Sequence, residues 1–145
     1  MHLTNSHLLV AVPNKEKPSG IKLWKIHAQE LEKPVAVYID ALVDKSGKYA
    51  CLTFSPDGSL LAAATGNGTL IRVVDITKDS CGASELVQEV CRGRSTANVS
   101  SISLDRDEKG VWMIGCTSDR GTTHCFTIDQ SSNLKASTDE ERKHE

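Results

Sequence analysis

The feature that most restricts how this chain can fold is a repeat of short apolar segments separated by small polar turns. In one copy, the run Tyr49–Phe54 ends in the turn Ser55–Gly58, and the runs Leu60–Ala64 and Thr69–Ile76 follow it. The same order of runs and turns returns between Val99 and Ile128. Apolar runs of this length, punctuated by Gly, Asp and Ser, predict antiparallel β-strands.

An earlier and less complete copy lies near the N-terminus. Leu8–Val12 and Gly20–Ile26 match the second and third strands of the repeat, and no run before them supplies a first strand. The segments Val35–Ile39 and Glu85–Val90 occupy the place of a fourth strand. The sequence therefore predicts most of three consecutive four-stranded units.

The spacing of the repeat indicates the architecture. Gly20, Gly68 and Gly121, which open the third strands, are 48 and 53 residues apart. WD-type propeller blades repeat every ~40 to 45 residues, and longer loops account for the excess. The predicted fold is all-β, a partial β-propeller of the WD-repeat type with about three antiparallel blades, because closed rings contain ~4 to 8.

Composition narrows the function classes. The 145 residues carry a formal net charge of −2, so no broad basic field predicts nucleic acid as a partner. No apolar stretch approaches the ~20 residues of a membrane-spanning helix, and the N-terminal residues lack the basic region of a secretion signal. We therefore expect a cytoplasmic protein without a signal or an anchor.

The cysteines and histidines argue against disulfides and metals. The chain has five cysteines, an odd number, and none of them forms a C-x-x-C pair. Its five histidines are scattered without the spacing of zinc ligands. We expect reduced thiols, and neither a metal nor a cofactor.

Catalytic motifs are also missing from the sequence. It contains no Gly-x-Ser-x-Gly elbow, no P-loop and no H-E-x-x-H pair. Cys91 and His124 are of the types that serve as nucleophile and base, but no third group can be assigned to orient them. The prediction is a binding protein and not an enzyme.

One long stretch of the chain resembles a known family of propellers. Between Tyr49 and Phe126, the segments YACLTFSPDGSLLAAATGNGTLIRVVDI, EVCRGRSTANVSSISL and CTSDRGTTHCF are similar to the fifth and sixth blades of the PROPPIN (WIPI-like) family of phosphoinositide-binding WD-repeat proteins. The family's distinctive motif is Phe/Leu-Arg-Arg-Gly, whose two arginines serve two separate head-group pockets. Here that position reads Val90-Cys91-Arg92-Gly93.

The resemblance also implies a division of the chain into units. Residues 1–43 resemble part of the fourth blade, residues 44–93 resemble the fifth, and residues 94–128 resemble part of the sixth. Residues 129–145 are polar and charged, and are predicted to form a loop or tail.

The second head-group pocket of the family is well matched in this sequence. The residues that the resemblance assigns to it are Arg92, Gly93, Ser118, Thr122 and His124. These types suit a phosphomonoester, which is bound by a planar cation, short hydroxyl donors and the backbone N–H groups that glycine leaves accessible.

The first pocket is matched less well, and the resemblance implies that it is weakened. Its matching residues are Thr65, Gly68, Thr69 and Arg72. Cys91 replaces the first arginine of the motif, and the place of a family histidine falls at Asp44 or Lys45. The pocket has therefore lost a guanidinium.

Each of these residues also has a purely structural interpretation. Gly68 and Gly121 open strands after turns that many WD-like repeats contain, for reasons of backbone conformation. Arg72 is free to pair with an acidic residue, and His124 alternates with apolar neighbours as a structural strand histidine does. The case for function depends on their combined spacing.

Three functional hypotheses follow. The resemblance implies a phosphoinositide effector in autophagy or endosomal trafficking, which recognises phosphatidylinositol 3-phosphate through Arg92 on preautophagosomal or endosomal membranes. Its partners would be the lipid head group, the membrane surface, and autophagy or trafficking proteins. The alternatives are a propeller that serves as a protein-interaction scaffold without lipid binding, and a truncated product without function.

Overall fold

The computed structural model is built entirely from strands and turns where it describes the chain. Its described residues are 2–3, 7–14, 20–27, 35–38, 48–77, 85–128 and 140–143. They form three four-stranded antiparallel sheets in which neighbouring strands follow each other in the sequence. The expectation of an all-β fold with four strands in each repeat is confirmed.

The first and second sheets follow the apolar runs of the sequence. The first sheet contains β1 (His2–Leu3), β2 (His7–Asn14), β3 (Gly20–His27) and β4 (Val35–Tyr38). The second sheet contains β5 (Tyr49–Phe54), β6 (Leu60–Thr65), β7 (Leu70–Asp75) and β8 (Glu85–Cys91).

The third sheet repeats this order. It contains β9 (Val99–Arg106), β10 (Trp112–Ser118), β11 (Thr122–Ile128) and β12 (Glu140–Lys143). Its alternating buried and exposed residues place one face of β9 and β10 against the second sheet. The opposite face is exposed and carries mainly small or polar side chains.

The structure differs from the sequence prediction at both outer strands. β1 pairs with β2, so the place of the first strand, predicted to be missing, is filled by two residues. β12 pairs with β11 within a segment predicted to be loop or tail. Both strands are held by backbone hydrogen bonds at a sheet edge, where no apolar pattern is needed, and this explains why the pattern did not predict them.

The three sheets are packed face to face, with the second sheet between the other two. Leu60, Ala62 and Ala64 of β6 belong to the core shared with the third sheet. Leu61 and Ala63 belong to the core shared with the first sheet. Because successive side chains of a strand point to opposite faces, β6 is buried on both sides.

The sheets contact one another on the side of their first two strands. β5 packs against β9, and β2 also contacts β5. Successive four-stranded sheets that contact one another near their first strands are the arrangement of blades around a propeller axis.

One turn links the second sheet to the third. Asp57, in the turn after β5, accepts hydrogen bonds from Ser55 Oγ at 2.7 Å and Ser59 Oγ at 2.6 Å. It also forms an ion pair of 2.7 Å with Arg106, whose guanidinium lies over the ring of Trp112. Partial burial would raise the pKa of Asp57, but these hydrogen bonds and the Arg106 charge outweigh it and hold that pKa below its usual range.

The four cysteines in the described part of the chain are free thiols. Cys116 is buried, and burial raises the pKa of its thiol. Cys51 is half-buried, and Cys91 and Cys125 are exposed. Among the described residues there is no helix with the length and apolarity needed to cross a membrane.

Candidate anion-binding sites at the two sheet boundaries

The segment that joins the second sheet to the third is held firmly between two turns. We call residues 92–98 the linker. Arg92 N donates to Thr69 O at 2.8 Å, and Ala97 N donates to Asn67 O at 3.0 Å. At the other side of the linker, Asp119 N donates to Asn98 O at 3.0 Å. The linker therefore has a defined conformation although it has no regular secondary structure.

Gly68 is required for this arrangement. Its φ of 73° lies in the left-handed region, and a Cβ built on it would collide with the carbonyl oxygen of Ala97. A side chain at this position would both strain the backbone and displace the linker. Gly68 therefore lies at the boundary with the third sheet, against the linker.

The Arg92 side chain points into this boundary and is 7% exposed. Its Nε donates to Gly68 O, and its Nη2 donates to Ser95 O at 2.5 Å. The guanidinium thus joins the turn after β6 to the middle of the linker. Part of the role of Arg92 is structural, because these carbonyls would otherwise lose a charged donor.

The charge of Arg92 is nevertheless uncompensated within the described part of the chain. Both of its acceptors are neutral carbonyl oxygens, and no described carboxylate forms an ion pair with it. Its third nitrogen, Nη1, has no described partner, and no buried side-chain nitrogen in this region lacks one. Nη1 therefore keeps some contact with solvent, although Arg92 as a whole is buried.

Three polar side chains on β10 and β11 form a connected group beside the linker. Thr122 Oγ1 lies 3.2 Å from Ser118 Oγ and 3.3 Å from His124 Nε2. The imidazole is 4% exposed and stacks on the ring of Phe126. Ser118 is also buried, whereas Thr122 is half-buried and is the most exposed member of the group.

Cys116 connects this group to Arg92. It is opposite His124 in the register of β10 and β11, and the positive charge of Arg92 works against the burial that raises the pKa of its thiol. Arg92 and His124 therefore lie near the same buried thiol. Gly93, the remaining predicted member of the second pocket, is half-buried with open space around its α-carbon.

At the other boundary, Arg72 is paired with an acidic residue. Its Nε donates to Glu89 Oε2 at 2.7 Å, and its Nη1 donates to the Tyr49 hydroxyl at 2.7 Å. Burial alone would lower the pKa of Arg72, but the bonds with Glu89 and Tyr49 outweigh it and raise that pKa. The charge of Arg72 is thus matched by a carboxylate.

The two threonines predicted for the first pocket are bound to a neighbouring asparagine. Asn67 Oδ1 accepts from Thr65 Oγ1 at 2.8 Å and from Thr69 Oγ1 at 2.9 Å. Both hydroxyls stabilise the turn that carries Gly68. Asp44 and Lys45, the alternatives for the family histidine, lie outside the described residues.

Some residues that define the two boundaries carry no signal in the sequence. Glu89 and Tyr49 decide the state of Arg72, and no local spacing indicates that they meet it. Arg120, which lies outside the linker, donates from Nη2 to Thr96 O at 3.0 Å and brings a further arginine to it. An open cleft of about 250 Å³ lies beside it, lined by Gly66, Asn67, Thr96, Ala97, Asn98, Asp119 and Arg120. The paired basic residues in Arg92-Gly93-Arg94 were the available signal for a charged linker.

Comparison with known proteins places the chain in a family. Residues 21–132 match the family model described as BCAS3, WD40 repeat. Autophagy-related protein 21 of Saccharomyces cerevisiae is 34% identical over 124 residues, which are 83% of this chain and 24% of that protein. Autophagy-related protein 18e of Arabidopsis thaliana is 35% identical over 109 residues, 75% of this chain and 26% of that protein.

Solved structures show the same fold. Hsv2 of Kluyveromyces lactis superposes with a TM-score of 0.66 at 21% identity, over 83% of this chain and 35% of that one. KlAtg21, in complex with the coiled coil of AgAtg16, superposes with a TM-score of 0.53 at 21% identity, over 83% of this chain and 39% of that one. The chain spans about a quarter of the length of the sequence relatives described above. From the matched repeat model, the relatives and the fold, the chain belongs to the PROPPIN family of WD-repeat β-propeller proteins.

Proposed function

We propose that the chain forms part of a phosphoinositide-binding propeller that recognises phosphatidylinositol 3-phosphate through the second pocket. The observation that carries this proposal is the state of Arg92. Its guanidinium donates to two neutral carbonyls, and no described carboxylate pairs with it. Its Nη1 makes no hydrogen bond to a described residue and is not fully buried. A fixed and uncompensated guanidinium favours binding of a phosphate.

The surrounding residues supply the remaining contacts that a head group needs. Gly93 leaves backbone accessible next to Arg92, and the hydroxyl of Thr122 is half-buried at the edge of the pocket. Ser118 and His124 lie deeper and orient Thr122 through hydrogen bonds. In this proposal the phosphate meets Arg92 and Thr122, while Ser118 and His124 position the hydroxyl.

The first pocket contributes little to this function. Arg72 already has a carboxylate partner, so an anion would have to displace Glu89. Two pockets on one propeller reinforce each other through effective concentration, and the loss of one lowers avidity by ~100-fold or more. We therefore propose one functional lipid site in this part of the protein, with autophagy or trafficking proteins as further partners.

Relatives support the cellular context of the proposal. The names of the sequence relatives place them in autophagy, and KlAtg21 was solved with the coiled coil of AgAtg16. By analogy, we propose a cytoplasmic protein that associates peripherally with preautophagosomal or endosomal membranes and acts there as a recruiting module without catalysis.

Liposome flotation tests the proposal. Vesicles with phosphatidylinositol 3-phosphate are compared with vesicles of unphosphorylated phosphatidylinositol at fixed salt, using the wild type and R92K. Lysine keeps the charge but loses the planar fork, so selective flotation should fall by about tenfold. R94K is the matched control, because Arg94 is an exposed arginine of the same linker and should tolerate the change.

Circular dichroism must show that all three proteins are folded. Equal selective flotation of the wild type and R92K would contradict the role of Arg92. A folded wild type that ignores the lipid would favour a protein-interaction scaffold, in which Arg92 only holds the linker.

A further inference from the structure

The middle of the linker has the features of a phosphorylation site. Its sequence is Arg92-Gly93-Arg94-Ser95-Thr96, so Ser95 follows one arginine by three residues and another by one. Arg94, Ser95 and Thr96 are exposed. The hydroxyl of Ser95 makes no hydrogen bond with any described residue, so it is available to a kinase.

We propose that Ser95 is a phosphorylation site, and that its phosphate is bound by Arg92 and thereby excludes a lipid phosphate from the second pocket. The second half of this inference rests on the proposed function. The first half does not, because it concerns only the linker.

Proximity supports the contact with Arg92. The carbonyl oxygen of Ser95 already accepts a hydrogen bond of 2.5 Å from Arg92 Nη2. The hydroxyl belongs to the same residue as this carbonyl, so it lies near the guanidinium. Because Nη1 has no described partner, a phosphate on Ser95 finds a donor there without breaking an existing contact.

The charges around Ser95 also favour a phosphate. Arg94 precedes it, and Arg120 is bonded to the carbonyl of the next residue, Thr96. Asp119, whose carboxylate accepts a hydrogen bond of 3.0 Å from Asn98 N, adds one opposing negative charge at the end of the linker. A phosphoserine carries about −1.5 to −2 charges at pH 7 and forms 1 to 3 charge-assisted hydrogen bonds in such surroundings.

The transfer itself follows ordinary kinase chemistry. Ser95 Oγ forms a bond to the γ-phosphorus of Mg-ATP, and the bond from that phosphorus to the oxygen bridging it to the β-phosphorus breaks. ADP leaves, and the hydroxyl proton passes to the catalytic carboxylate of the kinase. A kinase that selects arginines before its acceptor residue fits this sequence.

The first test asks whether Ser95 is modified. The full chain is incubated with Mg-ATP and the catalytic subunit of cAMP-dependent protein kinase, and the modified residue is identified by mass spectrometry. Phosphate should appear on Ser95 and be lost in S95A. T96A is the matched control, since Thr96 is an adjacent exposed hydroxyl, and it should keep the incorporation. Equal incorporation in S95A and the wild type, or none in either, would overturn the proposal.

The second test asks whether Arg92 binds the phosphate, without using lipid. Phosphorus NMR follows the titration of phospho-Ser95 in the folded chain and in a phosphopeptide covering residues 90–98. A bound guanidinium should lower the second pKa of the phosphate in the folded chain below the value of about 6 expected for the peptide. Identical titrations would contradict the contact.

The third test measures competition. Phosphorylation should lower selective flotation with phosphatidylinositol 3-phosphate by about tenfold, whereas S95A treated with the kinase and Mg-ATP should float like the unmodified chain. Unchanged flotation of the phosphorylated chain would overturn the competition. If neither state floats, the proposed function fails, and the NMR titration alone decides whether phospho-Ser95 binds Arg92.

Discussion

Two arginines, Arg72 within the second sheet and Arg92 directly after it, lie at opposite boundaries of that sheet and are anchored in different ways. Arg72, facing the first sheet, meets the carboxylate of Glu89 and the hydroxyl of Tyr49. Arg92, facing the third sheet, meets the carbonyl oxygens of Gly68 and Ser95. Each uses two guanidinium nitrogens, so the number of hydrogen bonds does not separate them.

The kind of acceptor does separate them. A carboxylate satisfies the donors of Arg72 and also cancels its charge, whereas carbonyl oxygens satisfy the donors of Arg92 and leave the charge in place. Coulomb attraction depends on net charge and acts over longer distances than hydrogen bonding. The comparison teaches that an arginine held by backbone is preorganised for an anion, while one held by a carboxylate is not.

The largest effect is expected from disturbing the backbone that holds Arg92. G68A requires an L-residue at a φ of 73° and drives a Cβ into the Ala97 carbonyl. Overpacking and backbone strain together should lower the free energy of unfolding by about 3 kcal/mol, measured by urea denaturation. G121A is the matched control, with a φ of 69° and open space, and should cost only about 1 kcal/mol. Equal losses would show that the linker is not packed against Gly68.

A smaller loss of stability is expected from removing the Thr122 hydroxyl, which connects Ser118 and His124. T122V keeps the shape of Thr122 but leaves Ser118 and His124 without their shared partner. The free energy of unfolding should fall by about 1.5 kcal/mol, because buried polar groups lose a hydrogen bond. T123V, one residue away, should change it by less than about 0.5 kcal/mol. Equal losses in the free energy of unfolding for both variants would show that the Thr122 hydroxyl does not connect Ser118 and His124.

The comparison can also be sharpened by making Arg72 resemble Arg92. E89Q keeps a hydrogen-bonding side chain opposite Arg72 and removes its negative charge. Binding to vesicles with phosphatidylinositol 3-phosphate should rise about threefold, a change of about 0.7 kcal/mol. D57N changes net charge equally at the distant ion pair with Arg106, and should leave flotation unchanged. A similar rise in both variants would mean that overall charge, and not the acceptor of Arg72, controls binding.

The smallest effect is expected at Arg106, whose carboxylate partner Asp57 is exposed. The pKa of Asp57 is lowered in the folded chain, so its contribution to stability is present above the unfolded value of about 3.9 and is lost as pH falls through the lower folded value. D57N should therefore be less stable than the wild type at pH 7 by about 0.5 kcal/mol. The difference should shrink in denaturation curves as the pH falls below the unfolded value, and disappear once Asp57 is protonated in the folded chain. A difference that persists there would have to come from packing.

The sequence predicts the strands well where side-chain pattern decides them. β5, β6 and β7 were predicted because their apolar runs are bounded by the turns at Gly58 and Gly68, both of which have positive φ. β1 and β12 were not predicted, since a two-residue strand and a charged edge strand depend on backbone pairing alone.

The candidate site is less accessible to sequence reasoning. The contact between Arg72 and Glu89 depends on the register of β7 and β8, which shifts at a bulge between Val73 and Val74. Likewise, the direction of Arg92 depends on how the linker crosses Gly68, 24 residues earlier in the chain. Residue types and spacing predicted which arginines to consider, but the acceptors that give them different roles are set by tertiary packing.

The strand β6 has a consequence for how such a protein can change over evolution. Ala62 and Ala64 line the boundary that ends at Arg92, while Ala63 lines the boundary that ends at Arg72. Enlarging Ala63 would widen one gap and spare the other, because alternate side chains point to opposite faces. Substitutions at neighbouring codons can therefore change the packing of one boundary while the other boundary is retained.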